Sequence, residues 1–216
     1  MIFASAFGEL AEHLDDRAMI DQSLAHANQV MDVFRCPERQ RLHEFVRLDD
    51  SLTDVPPGRV VNPGHAIESM WFMIHIFQRE NNSERIRQAI ETIKWHIELG
   101  WDGEYSGIFL ARDAEGSFWE NKWDMKIWWV HVEALYALLL AYSIAKEEWC
   151  AEWFARVHDY SFSHFPVPQY GEWIQNLDRQ GNKANTSVAL PVKDPFHLAR
   201  ALIYCVGVLE ELAHRD

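Results

Sequence analysis

The chain has only three cysteines in 216 residues, Cys36, Cys150 and Cys205, with no Cys-x-x-Cys pair and no Cys/His pairing. That excludes a disulfide framework and a thiolate zinc site, and a reducing cytoplasm is the expected compartment. Glycine and proline are scarce, 10 and 8, which excludes a fibrous or linker-built chain. Basic residues are few against acidic ones, 20 Lys+Arg to 33 Asp+Glu, and the net charge of −13 repels phosphate backbones and anionic lipid. Neither a nucleic-acid partner nor a membrane is expected. The sequence carries no GxGxxG or GxxxxGK[ST] phosphate loop, so a doubly wound α/β fold and a P-loop enzyme are disfavoured, and without an HExxH nothing favours a metal. Its longest uncharged apolar run, Ala134 to Ala145, falls short of the ~20 residues that span a bilayer. The apolar start has no basic lead and reaches Glu9 and Glu12 at once, unlike a secretory signal.

What is present is a packed core. Hydrophobic residues make up 48% and aromatics 13%, with 10 Trp, 12 Phe and 6 Tyr, enough for one globular domain over residues 1–216. The dominant pattern is helical. Residues 2 to 13 and 15 to 34 read as two helices, the second opened by Asp15 and Asp16 and striped by Met19, Ile20, Leu24, Ala27, Val30, Met31 and Phe34. A loop with Asp49, Asp50, Pro56, Pro57 and Gly58 follows. Pro63-Gly64 opens a helix to about Phe77, Asn82-Ser83 one to Leu99, Asp124 one to Ala145, and Glu147 to Phe162 makes another. Asp194-Pro195, an N-cap followed by proline, opens the last, ending near Ala213. Gly107 to Trp119 and Glu172 to Asn182 alternate like short hairpins at one end of the array. About seven helices without strand-helix-strand alternation predict an all-α fold, an α/α toroid or solenoid.

Three segments combine polar and aromatic side chains beyond what packing requires. In Asn62-Pro63-Gly64-His65-Ala66-Ile67-Glu68, followed by Trp71, His65 and Glu68 stand three apart at a helix start and share a face. In Lys126 to Leu135, Trp128 and His131 fall on one stripe, Trp129 and Glu133 on the next. In Lys193 to Arg200, His197 again occupies a first helical turn, with Arg200 three residues on. The positive end of a helix dipole disfavours imidazolium, so both histidines are expected neutral at pH 7, near or below the ordinary ~6.5. A base and an acid near neutrality on opposite sides of a carbon next to a carbonyl can remove and return a proton with inversion. Against this, any one of 11 histidines is more readily a surface or structural residue, and Trp128 and Trp129 also suit an aromatic core layer. Nothing in the spacing of His65, His131 and His197 favours a zinc site.

At these segments the chain resembles the N-acylglucosamine 2-epimerase family, which includes renin-binding protein and is related to cellobiose 2-epimerases and aldose-ketose isomerases. The motifs are Asn62 to Glu68 with Trp71-Phe72, Gly100-Trp101-Asp102, Met125 to Leu135, Tyr170-Gly171-Glu172-Trp173 and Pro195 to Arg200, in order over about residues 55 to 210. The resemblance implies an (α/α)6 barrel and cofactor-free epimerisation at C2 of a reducing sugar such as N-acetylglucosamine or N-acetylmannosamine. It gives the acid/base roles to His65 and His197, with Glu68 supporting His65. Trp128, His131, Glu133 and Trp71 would line the sugar pocket. Val130 and Ala199 stand where the family often has proline. With about seven helices against the family's twelve, the chain matches the C-terminal portion of that barrel, and a family arginine has no counterpart in it. An incomplete toroid exposes apolar stripes, so self-association or a partner chain that completes the barrel is expected. The alternatives are an aldose-ketose isomerase of mannose-like sugars and a non-catalytic sugar- or protein-binding fragment.

Overall fold

A computed structural model describes residues 1–53, 56–113, 122–184, 188, 193 and 196–214. Seven long helices occur among them: α1 (Ile2–Leu14), α2 (Arg17–Gln29), α4 (Pro63–Arg79), α5 (Ser83–Gly100), α6 (Trp128–Ala145), α7 (Glu148–His164) and α8 (Phe196–Ala213), with a single turn, α3 (Pro56–Arg59). The caps explain most of the boundaries. Asp16 caps α2 by accepting from the Ala18 and Met19 amides, while Asp15, at φ 51°, closes α1 in the left-handed region. Asn82 caps α5 through the Arg85 amide. The second predicted helix stops at Gln29 and continues as a wider π-type turn, Val30–Phe34, before the chain turns extended at Arg35.

Pairs α1/α2, α4/α5 and α6/α7 are hairpins, while α4 packs on α1 and α6, and α6 on α8. The result is a curved double row, with α1, α4, α6 and α8 inside and α2, α5 and α7 outside. Because each outer helix returns the chain, the inner helices run parallel and their N-termini open at one end. Helix α6 is apolar all round, as a helix in the innermost position must be. It is long and apolar enough to cross a membrane, mean hydropathy 1.3, yet 72% of it is buried inside the chain. The core joins Ile67, Met70, Phe72, Ile74 and Phe77 of α4 to Ile93 and Ile97 of α5 and to Leu135 and Leu138 of α6.

The short ladders differ from expectation. Phe109 to Ala111 fold back antiparallel onto Trp123 to Lys126, beyond the return predicted by Trp119, while Arg112–Asp113 pair with Val60–Val61; residues 114–121 lie outside the described residues. Glu172–Trp173 pair with Pro166–Val167, and Asn176–Leu177 with Lys126–Ile127; the second predicted hairpin does close around Asp178 to Gly181, through the Leu177 to Lys183 bridge and the Asp178 and Ala184 amides on the Asn182 and Asn176 carbonyls. The pairing at Lys126–Ile127 is why α6 starts at Trp128 and not at Asp124. Asp194 and Pro195 lie outside the described residues. Two motif segments brace these loops. Buried Asp102 accepts from Lys126 Nζ at 2.8 Å and Arg179 Nε at 3.0 Å. Lys193 Nζ donates to the carbonyls of Trp173 and Val188 and lies 4.6 Å above the Trp128 ring.

Candidate active site

The three inner helices α4, α6 and α8 bring one segment each to the same end. Asn62 Oδ1 accepts the His65 amide at 3.1 Å, and Pro63 suits the first helical position, which sets His65 in the opening turn of α4. Gly64 carries no Cβ because Trp129 stands there: an added Cβ would meet Trp129 Cη2 at 2.7 Å and Val130 Cγ2 at 2.8 Å. The Trp129 ring lies between the two histidines, 5.3 Å from His65 and 5.4 Å from His197, centroid to centroid. Met1, Ile2, His65, Glu68, Trp129, Phe196 and His197 line an open pocket of about 440 Å³. A larger cleft of about 610 Å³, bounded by Glu91, Lys94, Trp95 and Trp149 beside α5, holds no comparable pair of acid/base groups.

Each histidine leans on a carboxylate. His197 Nδ1 stands 2.7 Å from Glu133 Oε1, and His65 Nδ1 stands 3.1 Å from Glu44 Oε2. Since an ionised carboxylate only accepts, both rings carry hydrogen on Nδ1, and both Nε2 atoms are without a protein partner among the described residues. Glu133 takes three donors in all: Oε1 also takes Arg200 Nη2 at 2.5 Å, and Oε2 takes the Trp71 indole N–H at 2.7 Å. Arg200 is sandwiched 3.5 Å over Phe196 and 4.7 Å over Trp71. Glu68 is 2% exposed with Oε1 unpaired, 3.8 Å from both His197 Nδ1 and Arg200 Nη2. Burial first, then the Glu133 charge, pushes its carboxyl up to about 7. Glu68, Glu133 and His197 could together hold a cation, their ligand atoms within 4.8 Å of one another. The Arg200 guanidinium already supplies positive charge to that cluster.

Several sequence expectations need correction. Glu68 faces His197 and Arg200, and the hydrogen-bonded partner of His65 is Glu44, from the segment between α2 and α4. His65 is not held at or below its ordinary range: burial pulls the imidazole down, but the bond and charge of Glu44, with Glu68 behind, outweigh it and raise it. His131 does not line the pocket. It is 0% exposed, bonded through Nδ1 to the Ile127 carbonyl, and its Nε2 accepts the Ile108 amide. Glu133, also expected to line the pocket, is 0% exposed and holds His197 from behind; Trp128 and Trp71 are buried too, Trp128 edge-on to His197 at 5.6 Å. The indole that faces the pocket is that of Trp129, whose stripe also carries Glu133. Glu44 carried no sequence signal, because it sits in an aperiodic stretch 21 residues before its partner.

A family model for N-acylglucosamine 2-epimerase (GlcNAc 2-epimerase) matches residues 2–201. The chain belongs to that family. The N-acylglucosamine 2-epimerase of Bos taurus is 37% identical over 160 residues, which is 73% of this chain and 38% of that protein. The one from Homo sapiens is 34% identical over the same shares. This family member therefore spans well under half the length of the curated relatives it matches. Among solved structures, a D-mannose isomerase superposes with TM-score 0.79 at 18% identity, covering 96% of this chain and 53% of that one. A cellobiose 2-epimerase from Bacillus thermoamylovorans gives TM-score 0.80 at 18% identity, with 96% and 51% covered. The family member is thus an arc of an (α/α)6 barrel, an all-α sugar epimerase/isomerase fold.

Proposed function

We propose that this arc carries the proton-transfer machinery for cofactor-independent epimerisation at C2 of a reducing sugar of the N-acetylglucosamine/N-acetylmannosamine type. The observation that carries the reading is the pair of carboxylate-anchored imidazoles on either side of Trp129, both with Nε2 free, in one pocket. With the sugar ring open, one Nε2 takes the C2 proton and the C2–H electron pair moves into the C1 carbonyl as an enolate. The other imidazole, protonated, delivers its proton to the opposite face of C2, and the configuration inverts. Trp129 offers an apolar face to the sugar carbons. Glu133 and Arg200 hold His197, and Glu68, with its carboxyl raised to about 7, exchanges protons beside it. The family match and the relatives' names support the substrate class.

The inner edges of the arc bear on this reading. Phe3 is 68% exposed on α1 and Ile203 67% exposed on α8, with Leu10, Leu14, Val206 and Leu209 also open. We infer that the working form is an association, with a second copy or another chain, that covers these stripes and walls the pocket. The test is proton NMR of the purified chain with N-acetylmannosamine in D2O, followed by mannose. Loss of the C2 proton signal with new N-acetylglucosamine peaks supports epimerisation. A ketose from mannose moves the reading to isomerisation, where the same pair carries the proton from C2 to C1. Folded protein that exchanges neither sugar overturns catalysis by this chain alone.

A further inference from the structure

We propose that Glu44 is the positioning residue of His65: its carboxylate fixes the imidazole so that Nε2 faces the pocket. The inference deepens the proton-transfer reading above, since it assigns the support of one of its two bases. Glu44 Oε2 and Oε1 stand 3.1 and 3.3 Å from His65 Nδ1, and no other polar group in the described residues engages that ring. The contact is built rather than incidental, because the two residues that lead into Glu44 are both tied down through their backbone amides. The Leu42 amide donates to His96 Nε2 at 3.1 Å, and the His43 amide to the Phe34 carbonyl at 2.9 Å. The side chain of Glu44 is 22% exposed, shielded enough for its charge to be felt.

The remaining surroundings cannot do the same work. From α4 itself Glu68 contributes charge but lies against His197 and Arg200; from α6 comes the neutral Trp129 indole; from α1 the Met1 amino end lines the same pocket; from α8 His197 stands beyond Trp129. Glu44 is the carboxylate bonded to the ring, and it offsets the burial that would otherwise leave His65 a weaker base. The two bases are therefore supported differently: His197 by a buried carboxylate shared with Arg200, His65 by a lone carboxylate at the rim.

The experiment follows the His65 ring by long-range proton-nitrogen NMR from about pH 5 to 9 in the wild-type chain, Glu44→Ala, Glu44→Gln and Glu44→Asp, alongside exchange at C2 of N-acetylmannosamine. The expected result is an Nδ1–H tautomer titrating above ~6.5 in wild type, and mixed tautomers titrating lower in Glu44→Ala. We expect kcat to fall about 10- to 100-fold, the usual cost of removing a group that orients a functional imidazole, with KM little changed and partial rescue in Glu44→Asp. An unchanged tautomer and midpoint in folded Glu44→Ala overturn the proposal. If that variant does not fold, near-isosteric Glu44→Gln, whose amide oxygen can still accept from Nδ1–H but carries no charge, is read by the midpoint, and an unchanged midpoint there overturns the proposal. Absence of exchange in the wild type would overturn the epimerase reading and leave the ring spectra to decide the role of Glu44.

Discussion

At the scale of single residues, the site is a problem in holding two imidazoles still. Glu133 answers it with three donors, from His197, Arg200 and Trp71, in a place with 0% exposure. A carboxylate buried that deeply survives because both its oxygens are hydrogen-bonded and a guanidinium is paired with it. Replacing His65 or His197 with asparagine should lower kcat by about 10² to 10⁴, the usual worth of general acid-base catalysis, with circular dichroism unchanged. A double variant that keeps full activity would remove both from the mechanism. His65 and His197 stand out in the sequence because each lies in a first helical turn with aromatic neighbours, whereas Glu133, expected in the pocket lining, stands instead behind His197. Glu44 was not, since nothing local marks a contact made across 21 residues. His131 was misplaced for another reason: lying in a family motif puts a residue near the site without saying which way its side chain turns.

At the scale of elements, the site depends on how closely α4 and α6 approach. The missing Cβ of Gly64 leaves room for the Trp129 ring, so Gly64→Ala must displace either the indole or the start of α4. The helix propensity of alanine favours the substitution by about 1 kcal/mol, but overpacking costs about 1 to 3 kcal/mol. A net loss of stability in thermal melts is expected, with a shifted Trp129 environment in near-ultraviolet circular dichroism; a variant as stable as wild type with an unaltered spectrum would contradict the tight approach. The helices themselves were readable because Asp16, Asn62 and Asn82 cap them as their residue types suggest. The local turn at Asp178 to Gly181 was readable, but the ladders with partners distant in sequence were not, Lys126–Ile127 with Asn176–Leu177 above all, because local alternation carries no information about such pairing.

At the scale of the whole molecule, an arc with apolar residues open on α1 and α8 should not remain a single chain in solution. Light scattering is expected to give a mass above one chain, and a stable monodisperse monomer would speak against association. Acid stability follows from the buried histidines. Burial holds His96 down to about 4 and His131 down to about 3, while in the unfolded chain both titrate near ~6.5. Below ~6.5 the unfolded state binds protons that the folded state refuses, so stability present above that pH is lost as pH falls toward 4. The slope approaches about 1.4 kcal/mol per pH unit for each histidine. Urea midpoints between pH 7 and 4.5 test this, and a flat profile would contradict it. His96 adds something that global stability does not describe. Its Nδ1–H is spent on the Thr92 carbonyl, and its Nε2 lone pair receives the Leu42 amide, two residues before Glu44. A second proton on that ring would turn acceptor into donor and set two N–H groups against each other. A local slackening is therefore expected as pH falls toward about 4, in which the tether of the segment carrying Glu44 lets go, exchange at the Leu42 amide quickens and the rim beside His65 loosens.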